Sequence, residues 1–257
     1  MNSVKLLERL LTTETASLIK GLRLILKELY PIDKLFWAEH GHYIYAMGEA
    51  PICLVAHVDT IDNPYNIRDL RINNNSITLS TSSFRKALGA DDRAGVWLIL
   101  KLISRLHKEN KPLPSIVFTS FEEVGAQGAR AFIKDFPTPG NPVKYIVGLD
   151  RQGKNDAVFY SCRNKEFKNY ICSFGFKEQK GTYSDISFIG PTWDIANVNL
   201  SIGYKHEHTE LEKLNLKHLI RTYNKILEMY NDIYSADWYK CQANTEAWEL
   251  LNYLGKI

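Results

Sequence analysis

Residues 89–123 read GADDRAGVWLILKLISRLHKENKPLPSIVFTSFEE. Within this stretch, residues 92–107 are apolar on most sides, which predicts a helix buried nearly all round. A polar, proline-containing interval follows. Ser115–Thr119 is then short, β-branched and apolar, as expected of a strand buried on both faces. The same signal recurs at Ile52–Ala56, Lys144–Leu149 and Ala196–Ile202. Buried strands that alternate with helical segments predict an α/β layered fold with helices on both faces of the sheet.

The remaining chain fits that frame. Residues 3–29 repeat leucine and isoleucine at helical spacing, with a break expected near Gly21 and a stop at Pro31. Leu35–Glu39 and Tyr43–Met47 predict two strands around a tight turn at Gly41. One strand is expected at Ser76–Ser80, a short helix at Gln127–Asp135, an amphipathic helix at Leu214–Asp232 and a last short helix at 244–254.

Composition excludes several classes of function. The chain has 257 residues, 45% hydrophobic and 24% charged, so one large or two small globular domains fit. Lys+Arg 32 against Asp+Glu 29 gives a formal charge of +3, which argues against a basic nucleic-acid stripe. Mean hydropathy is −0.25, and no apolar run reaches the roughly 18 residues of a spanning helix. The first residues mix charge with leucine too early for a secretory signal, so a cytoplasmic location is expected. Cys53, Cys162, Cys172 and Cys241 are widely spaced and read as reduced thiols rather than a disulfide or thiolate–metal framework.

Five short segments carry the chemistry: Ala56-His57-Val58-Asp59, Gly89-Ala90-Asp91-Asp92-Arg93-Ala94-Gly95, Phe121-Glu122-Glu123-Val124-Gly125, Gly148-Leu149-Asp150 and Gly203–Glu210. Several follow apolar strands directly, where open α/β sheets place their ligand crevice. They offer imidazole and carboxylate but no thiolate, a donor set that suits zinc, with cobalt or manganese as alternatives. Two Zn²⁺ ions would be balanced by Asp91, Glu123, Asp150 and one hydroxide, with His57 and His208 as neutral ligands. Two metals about 3.5–4 Å apart can hold a hydroxide and polarise a carbonyl together. Glu122, beside Glu123, then suits a general base and acid. Asp59, two residues past His57, is placed to orient that imidazole through its far nitrogen.

These segments resemble the co-catalytic di-zinc aminopeptidases, the clan of peptidase T, the tetrahedral aminopeptidases and the bacterial leucyl-type aminopeptidases. The clan pattern H-x-D, D-D after a small residue, E-E, a lone D and a final H is met in order by His57 and Asp59, Asp91, Glu122 and Glu123, Asp150, and His208. His206 lies in the same segment, but His208 is followed by Thr209 and, four on, by Glu212, as the pattern asks. The resemblance spans residues 52–212. It implies a three-layer α/β/α fold with a mixed central sheet, the zinc-exopeptidase architecture. It also implies two divalent metals: Asp91 bridges, His57 and Asp150 complete one site, Glu123 and His208 the other, and Glu122 is the general base.

Two departures matter. Only 57 residues separate Asp150 from His208 and only 33 separate His57 from Asp91, so neither the lid nor the apical domain of the larger branches fits. Residues 1–257 are therefore expected to form one catalytic domain, restricted by loops or by a partner copy in a homo-oligomer. The expected activity is aminopeptidase action on short peptides, with no nucleic-acid or membrane partner. A zinc amidohydrolase or deacylase on another amide is the alternative within enzymes, and a non-catalytic binding protein of the same fold is the alternative outside them.

Some residues have competing readings. Asp92 also suits an N-cap of the 92–107 helix. Ser184-Asp185, with Phe188 beyond, suits either a helix cap or a substrate-pocket element. Tyr183 and Tyr204 are oxyanion-donor candidates, Trp193 and Phe188 pocket or core. His40, His42, His107 and His218 carry no partner pattern. Trp238, Trp248 and Leu251 in the 236–257 tail suit packing or self-association.

Overall fold

The computed structural model describes residues 3–62, 69–140 and 142–232. The expected helix at 244–254, the aromatic tail and Cys241 lie outside the described residues. Helices α1 (Ser3–Thr12) and α2 (Thr15–Leu29) lead to strands β1 (Leu35–Trp37), β2 (Tyr43–Ala46) and β3 (Ala50–His57). Next come β4 (Leu70–Ile72), β5 (Ser76–Leu79), α3 (Ala90–Lys108), β6 (Pro114–Thr119), α4 (Gln127–Asp135) and β7 (Tyr145–Arg151). The chain continues through β8 (Asp156–Val158), α5 (Lys165–Ser173), β9 (Lys177–Glu178), α6 (Asp185–Trp193) and β10 (Ala196–Ser201). It closes with β11 (Tyr204–Lys205), β12 (Lys213–Asn215) and α7 (Leu216–Asp232).

An eight-stranded sheet runs in the order β1-β2-β6-β3-β7-β10-β8-β9. Its centre is parallel, with β3 between β6 and β7, and β7 beside β10. The β1–β2, β2–β6 and β10–β8 pairs are antiparallel, so the sheet is mixed. Alternation sends successive side chains to opposite faces. Ile52, Leu54 and Ala56 of β3 enter a core with α1, α2, α3 and α7 residues, whereas Cys53 and Val55 enter a second core with Phe132 of α4 and Ile186 of α6. The result is three layers, α/β/α. In the second core Phe132 meets Tyr43, Tyr45 and Trp193 edge-on at 5.4, 5.1 and 5.5 Å, contacts worth about 0.5–1.5 kcal/mol each beyond area burial.

Helix α3 is buried along nearly its whole length, because β3 and β7 cover one side and α1 and α7 the other. Its regular part starts only after Asp91 (ψ 102°) and Asp92 (φ −120°), whose shared peptide is cis. Gly95 is the point of closest approach: a Cβ there would sit 2.3 Å from the Leu149 carbonyl oxygen and 2.4 Å from Asp92 Oδ1. No other residue lets the first turn of α3 press against the end of β7.

The N-terminal helix does not break at Gly21, which lies inside α2, but at Thr13-Glu14. The Thr12 and Thr13 hydroxyls bond back to the Glu8 and Arg9 carbonyls, and buried Arg93 donates to the Leu10 and Thr13 carbonyls at 2.7 and 2.8 Å. The last turn of α1 thus finds its acceptors' partners outside the helix, and the chain turns there. Residues between His57 and Asp91 hold two strands rather than one. β4 and β5 join β12 and β11 in a separate antiparallel sheet, ordered β11-β12-β5-β4.

Candidate functional site

His57 ends β3, Asp150 lies near the end of β7, and Glu122-Glu123 follow β6 by two residues, so three parallel strands deliver their groups to one edge. Asp91 comes from the irregular start of α3, and His208 from the loop between β11 and β12. Phe121, His206 and His208 adopt left-handed φ values of 61°, 59° and 62°. Non-glycine residues pay for that conformation, and such residues concentrate at functional sites.

Asp91 is the pivot of the cluster. His57 Nε2 lies 2.9 Å from Asp91 Oδ1 and 3.6 Å from Asp150 Oδ1. His208 Nε2 lies 3.4 Å from Asp91 Oδ2 and 2.8 Å from Glu123 Oε2. Two trios result, His57–Asp91–Asp150 and Asp91–Glu123–His208, each with its donor atoms within 4.8 Å of one another. His206 belongs to neither trio.

The donor chemistry fits divalent cations. Burial pushes Asp150 well above the usual carboxylate range, and the neighbouring Asp91 charge adds to it. Burial also raises Asp91, but the His208 and His57 imidazoles outweigh it and leave that carboxyl low. His208 is pushed up to about 10 by Asp91 and Glu123. The buried Glu123 Oε1 has no hydrogen-bond partner among the described residues. Carboxylates crowded in this way, one oxygen orphaned, are what a cation neutralises.

Carboxylates and amides around the trios hold them in place. Asp92 Oδ2 accepts the His57 N–H at 3.1 Å and its Oδ1 accepts the Gly95 N–H at 3.1 Å, so it both ties β3 to α3 and caps the helix. Asp59 acts differently from expectation. The atom nearest His57 Nδ1 is the Asp59 carbonyl oxygen, at 3.0 Å, with the carboxylate at 3.5 Å. Asp59 Oδ2 instead accepts the Glu123 N–H at 3.2 Å. Buried Glu212 accepts the Gly89 and Asp91 N–H groups at 2.9 and 3.1 Å and so fixes the backbone that carries Asp91. Asn199 of β10 accepts the Asp150 N–H at 3.0 Å and donates to Ser184 Oγ at 3.1 Å.

Glu122 is not part of either trio. It is buried and borders a cavity of about 190 Å3 together with Asp91, Glu123, Asp150 and His208. Burial pushes its carboxyl up to about 7, with Asp185, Asp91 and Glu123 adding to the rise and His57 opposing it. A carboxyl near 7 exchanges a proton readily at neutral pH. Buried Asp185 is raised to about 6 by burial and accepts the Thr119 hydroxyl.

The remaining candidates separate clearly. The Tyr204 hydroxyl donates to the Asp150 carbonyl at 3.1 Å, which makes it a support of Asp150, whereas half-exposed Tyr183 borders the cavity. Ser184 precedes α6 as its cap residue and also lines the cavity. Trp193 is core, its Nε1 donating to the Phe136 carbonyl at 2.8 Å, and the Phe188 ring lies 4.2 Å from the Arg130 guanidinium. Cys53 and Cys172 are free thiols outside the cluster, and buried Cys162 also lies outside it. Sequence reasoning missed Arg151, Gln152, Tyr160, Asn199 and Glu207 as cavity wall. One signal was available: Asn197, Asn199 and Ser201 put polar residues at every second position of a buried strand, and buried polar groups have partners to hold.

Comparisons with known proteins bear on the fold and the family. The closely matching solved structures include the aminopeptidase PepT from Bacillus cereus, at TM-score 0.70 and 16% identity over 90% of this chain and 98% of that one. A tripeptidase from Staphylococcus aureus gives 0.69 and 13% over 91% and 98%. The TET1 peptidase of Pyrococcus horikoshii gives 0.60 and 15% over 88% and 98%. At such identities the likeness establishes the fold. No curated protein sequence matches the chain. Among the described residues no helix is long and apolar enough to cross a membrane. The model of peptidase family M28 matches residues 44–182, which contain His57, Asp91, Glu122, Glu123 and Asp150, and the chain belongs to that family of peptide hydrolases.

Proposed function

We propose that the protein is a metal-dependent aminopeptidase acting on short peptides, with two divalent ions, zinc in the first place, at the two trios. The observation that carries this reading is the Asp91 carboxylate, whose Oδ1 faces His57 at 2.9 Å while its Oδ2 faces His208 at 3.4 Å. One carboxylate shared between two donor sets is the arrangement that co-catalytic ions need. His57, Asp91 and Asp150 would hold one ion, and Asp91, Glu123 and His208 the other. When bound, such ions polarise a carbonyl and lower the pKa of water. Glu122 takes the proton from the attacking water and returns it to the departing amine, which its position at the cavity and its carboxyl near 7 suit. Asp92, Asn199, Glu212 and the Asp59 carbonyl keep the ligands oriented throughout.

Residues 1–257 are taken to form one catalytic domain without a lid. The TET1 peptidase of P. horikoshii is described as assembling into a tetrahedron or an octahedral shell. Self-association of the present chain would restrict access to the cavity, and light scattering of the purified protein tests it. Free thiols at Cys53 and Cys172 suit a reducing, cytoplasmic compartment.

The deciding experiment pairs a substrate screen with Glu122→Gln. Aminoacyl anilides, dipeptides and N-acyl amino acids are offered with zinc, cobalt or manganese. Aminoacyl substrates are expected to be cleaved, and Glu122→Gln to lower their turnover about 10²–10⁴-fold while elemental analysis finds unchanged metal content. Cleavage of N-acyl substrates alone would replace the aminopeptidase by a deacylase, and full activity of the variant would remove Glu122 as the base.

A further inference from the structure

The cavity beside the trios has a charge pattern that the reaction does not use. At about 190 Å3 it lies below the roughly 300–1,000 Å3 of sites for drug-sized ligands, so it suits a single side chain. Asp91, Glu123, Asp150 and His208 belong to the trios, and Glu122 is the proposed base. Two charged residues of the wall remain, Arg151 and Glu207.

Arg151 is the wall's one guanidinium and is largely buried, with its side chain 24% exposed. Its Nε is fully shielded and has no hydrogen-bond partner among the described residues. Its ionic neighbour, Asp156 Oδ2, stands 4.0 Å from Nε, beyond hydrogen-bond distance. Burial pushes the neighbouring Tyr160 phenol up while the Arg151 charge pulls it down, so the guanidinium acts on a group of the same cavity wall. A permanently charged group with five donors is costly to bury without an acceptor. Planar guanidinium pairs with carboxylate, as it does with phosphate, in a two-pronged geometry, and of the two a peptide offers carboxylate. Glu207, for its part, is fixed in place by Gln152, whose Nε2 donates to Oε1 at 2.5 Å. An anchored carboxylate there suits an ammonium group.

We propose that Arg151 determines specificity by pairing with the side-chain carboxylate of the substrate's N-terminal residue, while Glu207 takes the free ammonium. The chain is then an aminopeptidase for peptides that begin with glutamate or aspartate. This rests on the aminopeptidase reading above and goes beyond it by naming the substrate class. Arg151 adjoins Asp150 in the chain, so the end of β7 supplies both a metal ligand and the group that selects what lies beside it.

The test compares the metal-loaded wild type with Arg151→Gln and Arg151→Lys on the anilides of glutamate, glutamine and leucine. The wild type should prefer the glutamate anilide to its uncharged isostere. Arg151→Gln should lose about ten- to hundredfold in kcat/KM on the glutamate anilide and stay within about threefold on the other two. Arg151→Lys should keep part of the preference, and unchanged unfolding midpoints exclude a folding defect. Equal treatment of glutamate and glutamine by the wild type would overturn the proposal, as would an equal loss on all three anilides in the variant. Leucyl-glycine and its amide form a further arm: if Arg151→Gln abolishes only a preference for the free C-terminus, the carboxylate comes from there and the proposal falls. Calorimetric titration with glutamic acid 1-amide and glutamine amide reads the same preference without turnover. A protein that hydrolyses no anilide would thus refute the aminopeptidase reading, while the titration still decides the role of Arg151.

Discussion

Glu212 does its work through two main-chain N–H groups rather than through any reacting atom. It is almost fully buried, and burial pushes its carboxyl up to about 7. Glu212→Ala would leave the Gly89 and Asp91 N–H groups buried and unpaired, each costing about 1–3 kcal/mol. A loss of about 2–6 kcal/mol in denaturant unfolding is expected. Glu212→Gln retains one acceptor oxygen and should lose clearly less. A Glu212→Gln variant as stable as the wild type, beside a destabilised Glu212→Ala, would mean that packing, not hydrogen bonding, fixes the loop. The residues of the two trios are legible in the sequence, because His57 and Asp150 end apolar runs and Asp91, Glu123 and His208 sit in short ordered motifs. The supporting residues are not. Asn199 and Tyr204 reach Asp150 from 49 and 54 positions away, and no local pattern encodes such a distance. Asp59 shows a finer limit: spacing puts it beside His57 but does not tell carbonyl from carboxylate.

Elements with a clean period or a long apolar run are readable, and those whose interiors are interrupted are not. Helix α4 spans Gln127–Asp135 as its pattern requires, with Gly128, Ala129 and Phe132 facing the core. Helix α6 contains Gly190 and Pro191, and so carries no helical signature beyond its cap. Strands β8, β9 and β11 are two or three residues long, too short for a period to show. Glycines make the same point energetically. Both Gly21 and Gly95 lie in helices, yet only the second is required there. Gly95→Ala would drive a Cβ into the Leu149 carbonyl and the Asp92 carboxylate, neither of which can swing away as a flexible side-chain end does. It should cost about 1–3 kcal/mol or more by overpacking and weaken metal binding, since α3 carries Asp91 and β7 carries Asp150. At Gly21 nothing lies within 4 Å of the added Cβ, and Gly21→Ala should stabilise by about 0.5–1 kcal/mol. Chemical denaturation of both variants checks the pair, and similar signs would show that the α3–β7 contact does not carry the site.

At the scale of the molecule, the trios join pieces of chain that the sheet holds only at one edge. His57 and Asp150 close β3 and β7, Asp91 begins α3, Glu123 follows β6, and His208 hangs on the smaller sheet. The second sheet meets the rest of the fold through α3 and α7, which pack on β12 and β5. A cation shared among these groups would therefore fasten the two sheets together, and its removal would return a set of buried, mutually repelling carboxylates. Binding to the folded chain alone adds about 2.7 kcal/mol at a hundredfold excess over Kd. For a chain of this size that corresponds to a Tm higher by roughly 5–10 °C per occupied site. Zinc, cobalt or manganese added to chelator-treated protein should produce the rise in calorimetry, with elemental analysis approaching two equivalents. The ligands bind metal only when deprotonated, so the metal-dependent part of Tm should shrink as pH falls below neutral and return on neutralisation. His208→Ala should abolish one increment and leave the other, because His57 and Asp150 still share Asp91. A Tm indifferent to metal in the wild type would break the link between this edge of the fold and a co-catalytic centre.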